Sequence, residues 1–328
     1  VDPSRLPAFL LRRGIKAAIV ILAIIVSNFF LIHAAPGDPA SVMAGQSGAA
    51  DERYLAQLRT QFGLDKPLLE QLWIYVRGML ALDLGYSHRQ QMGVAALIWQ
   101  RLPPTLLLTG VAFALAISGG VTLGALAARR VGTWADSVIT VIALTFYATP
   151  IFWVGLMLVL LFSVVLGWLP SFGMNSVGAD LHGIAAVLDV GRHLILPALT
   201  LGLFYVAVYA RLTRATMLEV ADQDFVKTAR AKGVPEGRIL RRHVLRNALL
   251  PVITLAGIQA GQLIGGSILV ETVFAWPGIG RLAFEALLAR DYPVLLGVFF
   301  CTSAMVVIFN LFTDLLYAMV DPRVEVQG

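Results

Sequence analysis

The densest group of charged side chains in the sequence lies between Met217 and Arg246. There Lys227, Arg230, Lys232, Arg238, Arg241, Arg242 and Arg246 are set against Glu219, Asp222, Asp224 and Glu236, a net charge of +3. No nucleophile is paired with a base here, so the chemistry on offer is recognition of another surface. The stretch also carries shape signals. Asp224 suits a helix N-cap, the residues from Phe225 to Lys232 are good helix formers, Gly233 suits the left-handed position beyond a helix, and Pro235 suits the opening of the next one. The first helix would be only about 12 Å long at 1.5 Å per residue. A helix that short does not hold itself in water, so it must dock on something.

Other chemistries are thinly represented. The lysines Lys16, Lys66, Lys227 and Lys232 follow Ile, Asp, Val and Ala, so no glycine-lysine phosphate loop exists. The histidines His33, His88, His182, His193 and His243 do not fall at metal-ligand spacing on one helix. Cys301, the single cysteine, sits in an apolar run and reads as a small packing residue. Ser118 and Ser267 have glycine neighbours but no base at helical spacing, which argues against an intramembrane enzyme. Polar residues inside apolar runs are the remaining candidates. Asn28, Gln262, Asn310 and Asp314 are candidate pathway residues, and Glu271 stands at the end of another run. For Asp314 the rival reading is a buried partner for an arginine or the backbone, and for Asn28 and Gln262 it is hydrogen bonding between helices.

The elements that must position these residues are membrane spans. The chain has 328 residues, 58% hydrophobic and 14% charged, with mean hydropathy +0.79. An average soluble domain carries roughly 25% charged residues. The +5 net charge comes from short clusters that flank apolar runs, which is the pattern of membrane orientation and not of nucleic-acid binding. Arg12-Arg13 superficially resembles a twin-arginine signal, but the apolar run after it is long and lacks a small-residue cleavage site, so a retained span is expected.

Six spans are expected: about 15–33, 102–128, 137–168, 194–213, 248–270 and 294–320. The third is some 48 Å long if fully helical, against a core of about 30 Å, and Pro150 in its middle predicts a kink. Reading it as one kinked span keeps the Met217–Arg246 stretch on the same side as the other positive clusters. Both termini are then cytoplasmic, with sixteen of the 25 lysines and arginines on the inner side. The resulting division is 1–33 for the tail and first span, 34–101 for an external segment, 102–320 for a five-span core with a cytoplasmic loop at 217–247, and 321–328 for the tail. In the external segment, Asp51 predicts a helix with Leu55, Leu58 and Phe62 on one face. Asp65-Lys-Pro67 predicts a second, with Leu69, Leu72, Trp73, Val76 and Met79 or Leu80 on its apolar face. Gly110, Gly119, Gly120 and Gly124 predict close helix packing. Glu271 to Gly280 reads as an external turn, with Trp276 as an aromatic-belt residue at the interface.

The stretch Asp224-Phe-Val-Lys-Thr-Ala-Arg-Ala-Lys-Gly233, continuing to Leu245-Arg-Asn-Ala-Leu-Leu-Pro251, resembles the cytoplasmic E-A-A loop of binding-protein-dependent ABC importer permeases of the dipeptide and oligopeptide branch. Lys227 stands where that pattern has Glu and Thr228 where it has the first Ala, so only Ala229 and Gly233 match. Pro36-Gly-Asp-Pro39, Phe62-Gly-Leu-Asp-Lys-Pro67, Asp83-Leu-Gly-Tyr-Ser87, Thr149-Pro-Ile-Phe-Trp153, Glu271-Thr-Val-Phe-Ala-Trp-Pro-Gly278, Arg290-Asp-Tyr-Pro293, Asn310-Leu-Phe-Thr-Asp-Leu-Leu-Tyr317 and Asp321-Pro-Arg323 extend the resemblance over nearly the whole chain.

The resemblance implies an all-α six-span bundle of the type I ABC importer permease architecture in a bacterial inner membrane. It would pair with a second homologous permease, two ABC ATPase subunits and an extracytoplasmic solute-binding protein, amid membrane lipid and without nucleic acid. No cofactor is implied in this chain; ATP and Mg belong to the ATPases. Asp224, Thr228, Ala229, Arg230, Ala231, Lys232, Gly233 and Pro235 would then form the ATPase-coupling element. Short peptides are the implied cargo, with nickel chelates, opines, glutathione or sugars as alternatives within the family and an ion-coupled carrier as the alternative outside it.

Overall fold

The structure, a computed structural model, describes residues 6–34, 60 and 65–320. The expected helix opened by Asp51, and the motifs at Pro36–Pro39, the first half of Phe62–Pro67 and Asp321–Arg323, lie outside these. Helices are α1 (Leu6–Ala34), α2 (Leu68–Leu80), α3 (Val94–Arg129), α4 (Trp134–Ala148), α5 (Ile151–Leu158), α6 (Ile184–Ala221), α7 (Asp224–Ala231), α8 (Glu236–Arg238), α9 (Arg246–Val273), α10 (Ile279–Ala289) and α11 (Tyr292–Val320). A small antiparallel hairpin joins β1 (Tyr86–Ser87) to β2 (Met92–Gly93). Two wider, π-helical turns extend helices, Val159–Val165 after α5 and Ile239–Leu245 between α8 and α9.

Among the described residues five helical stretches are long and apolar enough to cross a membrane: Arg12–Leu31, Val94–Arg129, Ile184–Ala221, Glu236–Gly261 and Tyr292–Leu311. The pair α4 and α5 with its π-helical extension makes a sixth if taken together, bent by 108° at its break. The break falls where Pro150 predicts it. Proline drives its predecessor out of the helical region, and Thr149 is accordingly extended at φ −86°, ψ 135°. The helices outrun the expected span limits. α3 starts at Val94, so Pro103 and Pro104 lie inside a helix and not at its mouth, and α6 takes in the ten residues before Leu194 and eight beyond Thr213.

The chain divides into two compact units. In Val1–Pro103 with Gly278–Gly328, Ile25 of α1, Val76 and Met79 of α2, Val94 and Ile98 at the start of α3, Leu282 of α10 and Val294 and Val298 of α11 share one core. The hairpin is fastened to it by a buried bond from Ser87 Oγ to Asp291 Oδ2 at 2.5 Å, so the motifs Asp83–Ser87 and Arg290–Pro293 meet in space. Two expectations need correcting here. α2 buries Val76 and Met79, whereas Leu69, Trp73 and Leu80 are exposed; the apolar residues surround this helix, and the docking partner selects the face. The turn expected through Gly280 ends earlier, because Leu282, Ala283 and Ala286 fall at helical spacing and seat α10 in the core.

In Pro104–Pro277 the core lies among α3, α5, α6 and α9. The expected glycine packing is present at three of the four positions: a methyl group on Gly120 or Gly124 would overlap Tyr209 or the Ala210 carbonyl of α6 and one on Gly119 would press on Val206, whereas Gly110 has nothing within 4 Å. Trp276 is fully buried and donates from Nε1 to Pro104 O at 2.9 Å, so it is a packing residue and not part of an interfacial aromatic belt. Indole needs a partner when buried, and this carbonyl supplies it.

A capped surface helix seated on the ends of three long helices

α7 is eight residues long, and its ends show how the sequence sets it. Gly233 adopts φ +73°, a conformation open to glycine at little cost, and its N–H bonds to Arg230 O at 2.9 Å while Val234 N–H reaches back to Ala229 O at 3.2 Å. This pair of reversed bonds is a Schellman cap, and Val234 adds the apolar contact that accompanies it. Pro235 then precedes α8, with its carbonyl accepting from Arg238 N–H at 2.8 Å. At the other end the structure differs from expectation. Gln223 is the N-cap, without a side-chain cap bond, and Asp224 is the first helical residue, where its carboxylate suits the positive end of the helix and pairs with Lys227 Nζ at 3.0 Å.

The two faces of α7 do different work. Val226 and Ala229, three apart, are buried in a cluster with Met217 and Val220 of α6, Ile239 and Val244 of the π-helical turn and Ala248 of α9, with Ala125 and Ala128 of α3 packed against it. Ile239 and Val244 are five apart, a spacing that i to i+5 bonding brings toward one face. Burying Val226 contributes about 1.5–3 kcal/mol, which offsets much of the cost of ordering so short a helix. The opposite face leaves Asp224, Phe225, Lys227, Thr228, Arg230, Ala231 and Lys232 exposed, with Gly233 and Pro235 beyond them. Arg230 is a staple: its guanidinium donates to Glu236 Oε1 at 2.9 Å and, more weakly, to Ala221 O at 3.4 Å, linking the end of α6 to the start of α8. The hydrogen bond that Arg230 donates to the Glu236 carboxylate raises the arginine's pKa further, so it stays charged at any physiological pH.

Eight residues were expected to make this element. Seven are on its exposed side, and Ala229 is in its seat. Val226, Ile239 and Val244, which hold the seat, were not singled out; the signal was the Val226–Ala229 pair at helical spacing in an otherwise polar stretch. The candidate pathway residues fall on three helices. Asn28 on α1 is buried, with its amide nitrogen unpartnered, and Asn310 on α11 is exposed. Gln262 and Asp314 are placed by their backbones, on α9 and α11. Glu271 is fully buried and accepts from Thr105 Oγ1 at 2.8 Å and Ser267 Oγ at 2.9 Å, a satisfied carboxylate and not an open relay. Among the described residues no group of three or more His, Cys, Asp or Glu side chains is arranged to hold a metal ion.

Long apolar helices closed by glycine contacts, with a short polar helix standing on their ends, define a multi-pass all-α membrane protein. Models of the binding-protein-dependent transport system inner membrane component match residues 120–326, and those of its N-terminal component match residues 6–109. The chain belongs to that family, and is a multi-pass inner-membrane component of an ABC importer, a transporter that works with an ATPase and a binding protein. It is 40% identical to the dipeptide transport system permease protein DppB of Escherichia coli K12, across 97% of this chain and 98% of the relative. It is 41% identical to a putative peptide transport system permease protein of Brucella abortus 2308, across 97% and 99%. The permease fold is shared with the inward-facing MetNI methionine ABC transporter, at TM-score 0.55 and 19% identity over 69% of this chain and 96% of that one.

Proposed function

We propose that this chain is one of two homologous permease subunits of an importer for short peptides or closely related solutes, with two ATPase subunits on its cytoplasmic face. The coupling element is Asp224 to Pro235, and its exposed residues Thr228, Arg230, Ala231 and Lys232 meet the ATPase. One observation carries the reading: α7 has no membrane-spanning length of its own, yet its buried face is keyed to α3, α6 and α9 together. A push on its outer face is therefore delivered to three spans at once, as alternating access requires. ATP and Mg act in the partner subunits, and this chain supplies the path and the lever. The peptide assignment rests on similarity to dipeptide and putative peptide permeases at 37–41% identity. Asn28, Gln262, Asn310 and Asp314 remain the proposed pathway residues.

The test is uptake of a labelled dipeptide into proteoliposomes holding the complete transporter. Uptake that needs ATP, the ATPases and the binding protein, and that survives collapse of ion gradients, is expected. Uptake that persists without the ATPases but follows the proton gradient would overturn the reading.

A further inference from the structure

A second site stands on α6, before the turns that seat α7. Between α3, α4 and α6 lies a half-open cavity of about 190 Å³ lined by Ala127, Ile139, Thr140, Ala143, Ala210, Arg211 and Arg214. One water occupies roughly 30 Å³ in the liquid, so the space suits a larger group. Its charge is one-sided. Arg214 is neutralised by a bidentate pair with buried Asp136, at 2.6 and 2.8 Å, and that carboxylate also accepts from Gly132 N–H. Arg211 has no carboxylate among the described residues; its guanidinium lies over the Tyr147 ring, 5.2 Å from the centroid, which leaves its N–H edge free to bond. The cavity therefore presents one uncompensated arginine and the outer edge of a second, while the Thr140 hydroxyl is bonded to Asp136, the carboxylate that Arg214 neutralises.

Its depth and walls specify the ligand. Arg211 and Arg214 precede the end of α6 by ten and seven residues, about 15 and 10 Å along the axis, and that end is the one from which α7 departs. The bias of lysine and arginine places it at the cytoplasmic surface, where Arg129, Arg130 and the exposed Trp134 stand at the adjoining ends of α3 and α4. Between Asp136 and Tyr147, the residues of α4 that the two arginines contact, this helix exposes Val138, Val141, Ile142 and Leu144. A phosphate over an apolar helix face is the outline of a phospholipid. We propose that this cavity seats the headgroup of one anionic phospholipid of the cytoplasmic leaflet, its phosphate on Arg211 and the free edge of Arg214 and its acyl chains along α4. The proposal is independent of which solute is carried.

The experiment uses the complete transporter purified in mild detergent, with retained phosphatidylglycerol and cardiolipin counted by native mass spectrometry and then titrated back after delipidation. Arg211→Gln is expected to remove one retained anionic lipid and weaken its rebinding about fivefold, while Arg211→Lys keeps most of it. Arg129→Gln, at the adjacent exposed position, should change rebinding less than twofold. Unchanged retention and rebinding in Arg211→Gln would overturn the proposal. So would equal competition by inorganic phosphate at the lipid's own concentration, which would mark a free-anion site, or an Arg211→Gln effect confined to the KM for uptake, which would assign Arg211 to the cargo.

Discussion

Gly233 and Glu271 show what single residues contribute. Gly233 was legible because a positive φ beyond a short helix is a requirement few residues meet, and Asp224 was misplaced by one position because an aspartate serves equally at the cap or in the first turn. The role of Glu271 was not legible, since its partners Thr105 and Ser267 include one 166 residues away. Replacing Thr105 by Val removes a donor from a buried carboxylate, so a loss of about 1–3 kcal/mol is expected, read as a lowered melting temperature in detergent with a smaller effect on uptake. The exposed Arg230–Glu236 pair is different. Solvent screens it, so Glu236→Gln should leave melting nearly unchanged while reducing uptake per ATP hydrolysed, because the staple between α6 and α8 is lost.

Elements were legible where the chain carries a local instruction and illegible where a neighbour decides. Pro150 announces the break between α4 and α5, and the glycines of α3 announce its close contact with α6. The buried side of α2, the burial of Trp276 and the existence of α10 depend on what each packs against, and apolar residues in a membrane protein are too common to mark one face. The wide turn at Ile239–Leu245 gave no signal beforehand; in hindsight the five-residue spacing of Ile239 and Val244 does. Two predictions belong to this scale. Gly120→Leu should prevent α3 from reaching α6, with a cost of about 3 kcal/mol or more, seen as loss of assembled complex on size-exclusion chromatography. Val226→Asp should unseat α7 while the spans remain inserted, seen as protease cleavage near Phe225 that the unaltered chain resists.

For the molecule as a whole, apolar composition and charge bias were enough to give a multi-pass helical protein, and the stretch from Asp224 to Gly233 together with the motifs spread along the chain was enough to suggest its family. What composition cannot supply is where force would enter; the point proposed here is α7, which has an exposed polar face, a Schellman cap and a seat shared by three long helices. The central claim is that this element converts ATPase movement into movement of the spans. Its most direct measurement is the ratio of dipeptide uptake to ATP hydrolysis in proteoliposomes of the complete transporter carrying Gly233→Pro, which can adopt neither the φ of +73° nor the bond to Arg230 O. The expected result is membrane insertion and hydrolysis close to those of the unaltered protein, with uptake reduced more than tenfold; normal uptake at a normal ratio would contradict the assignment of α7 as the coupling helix.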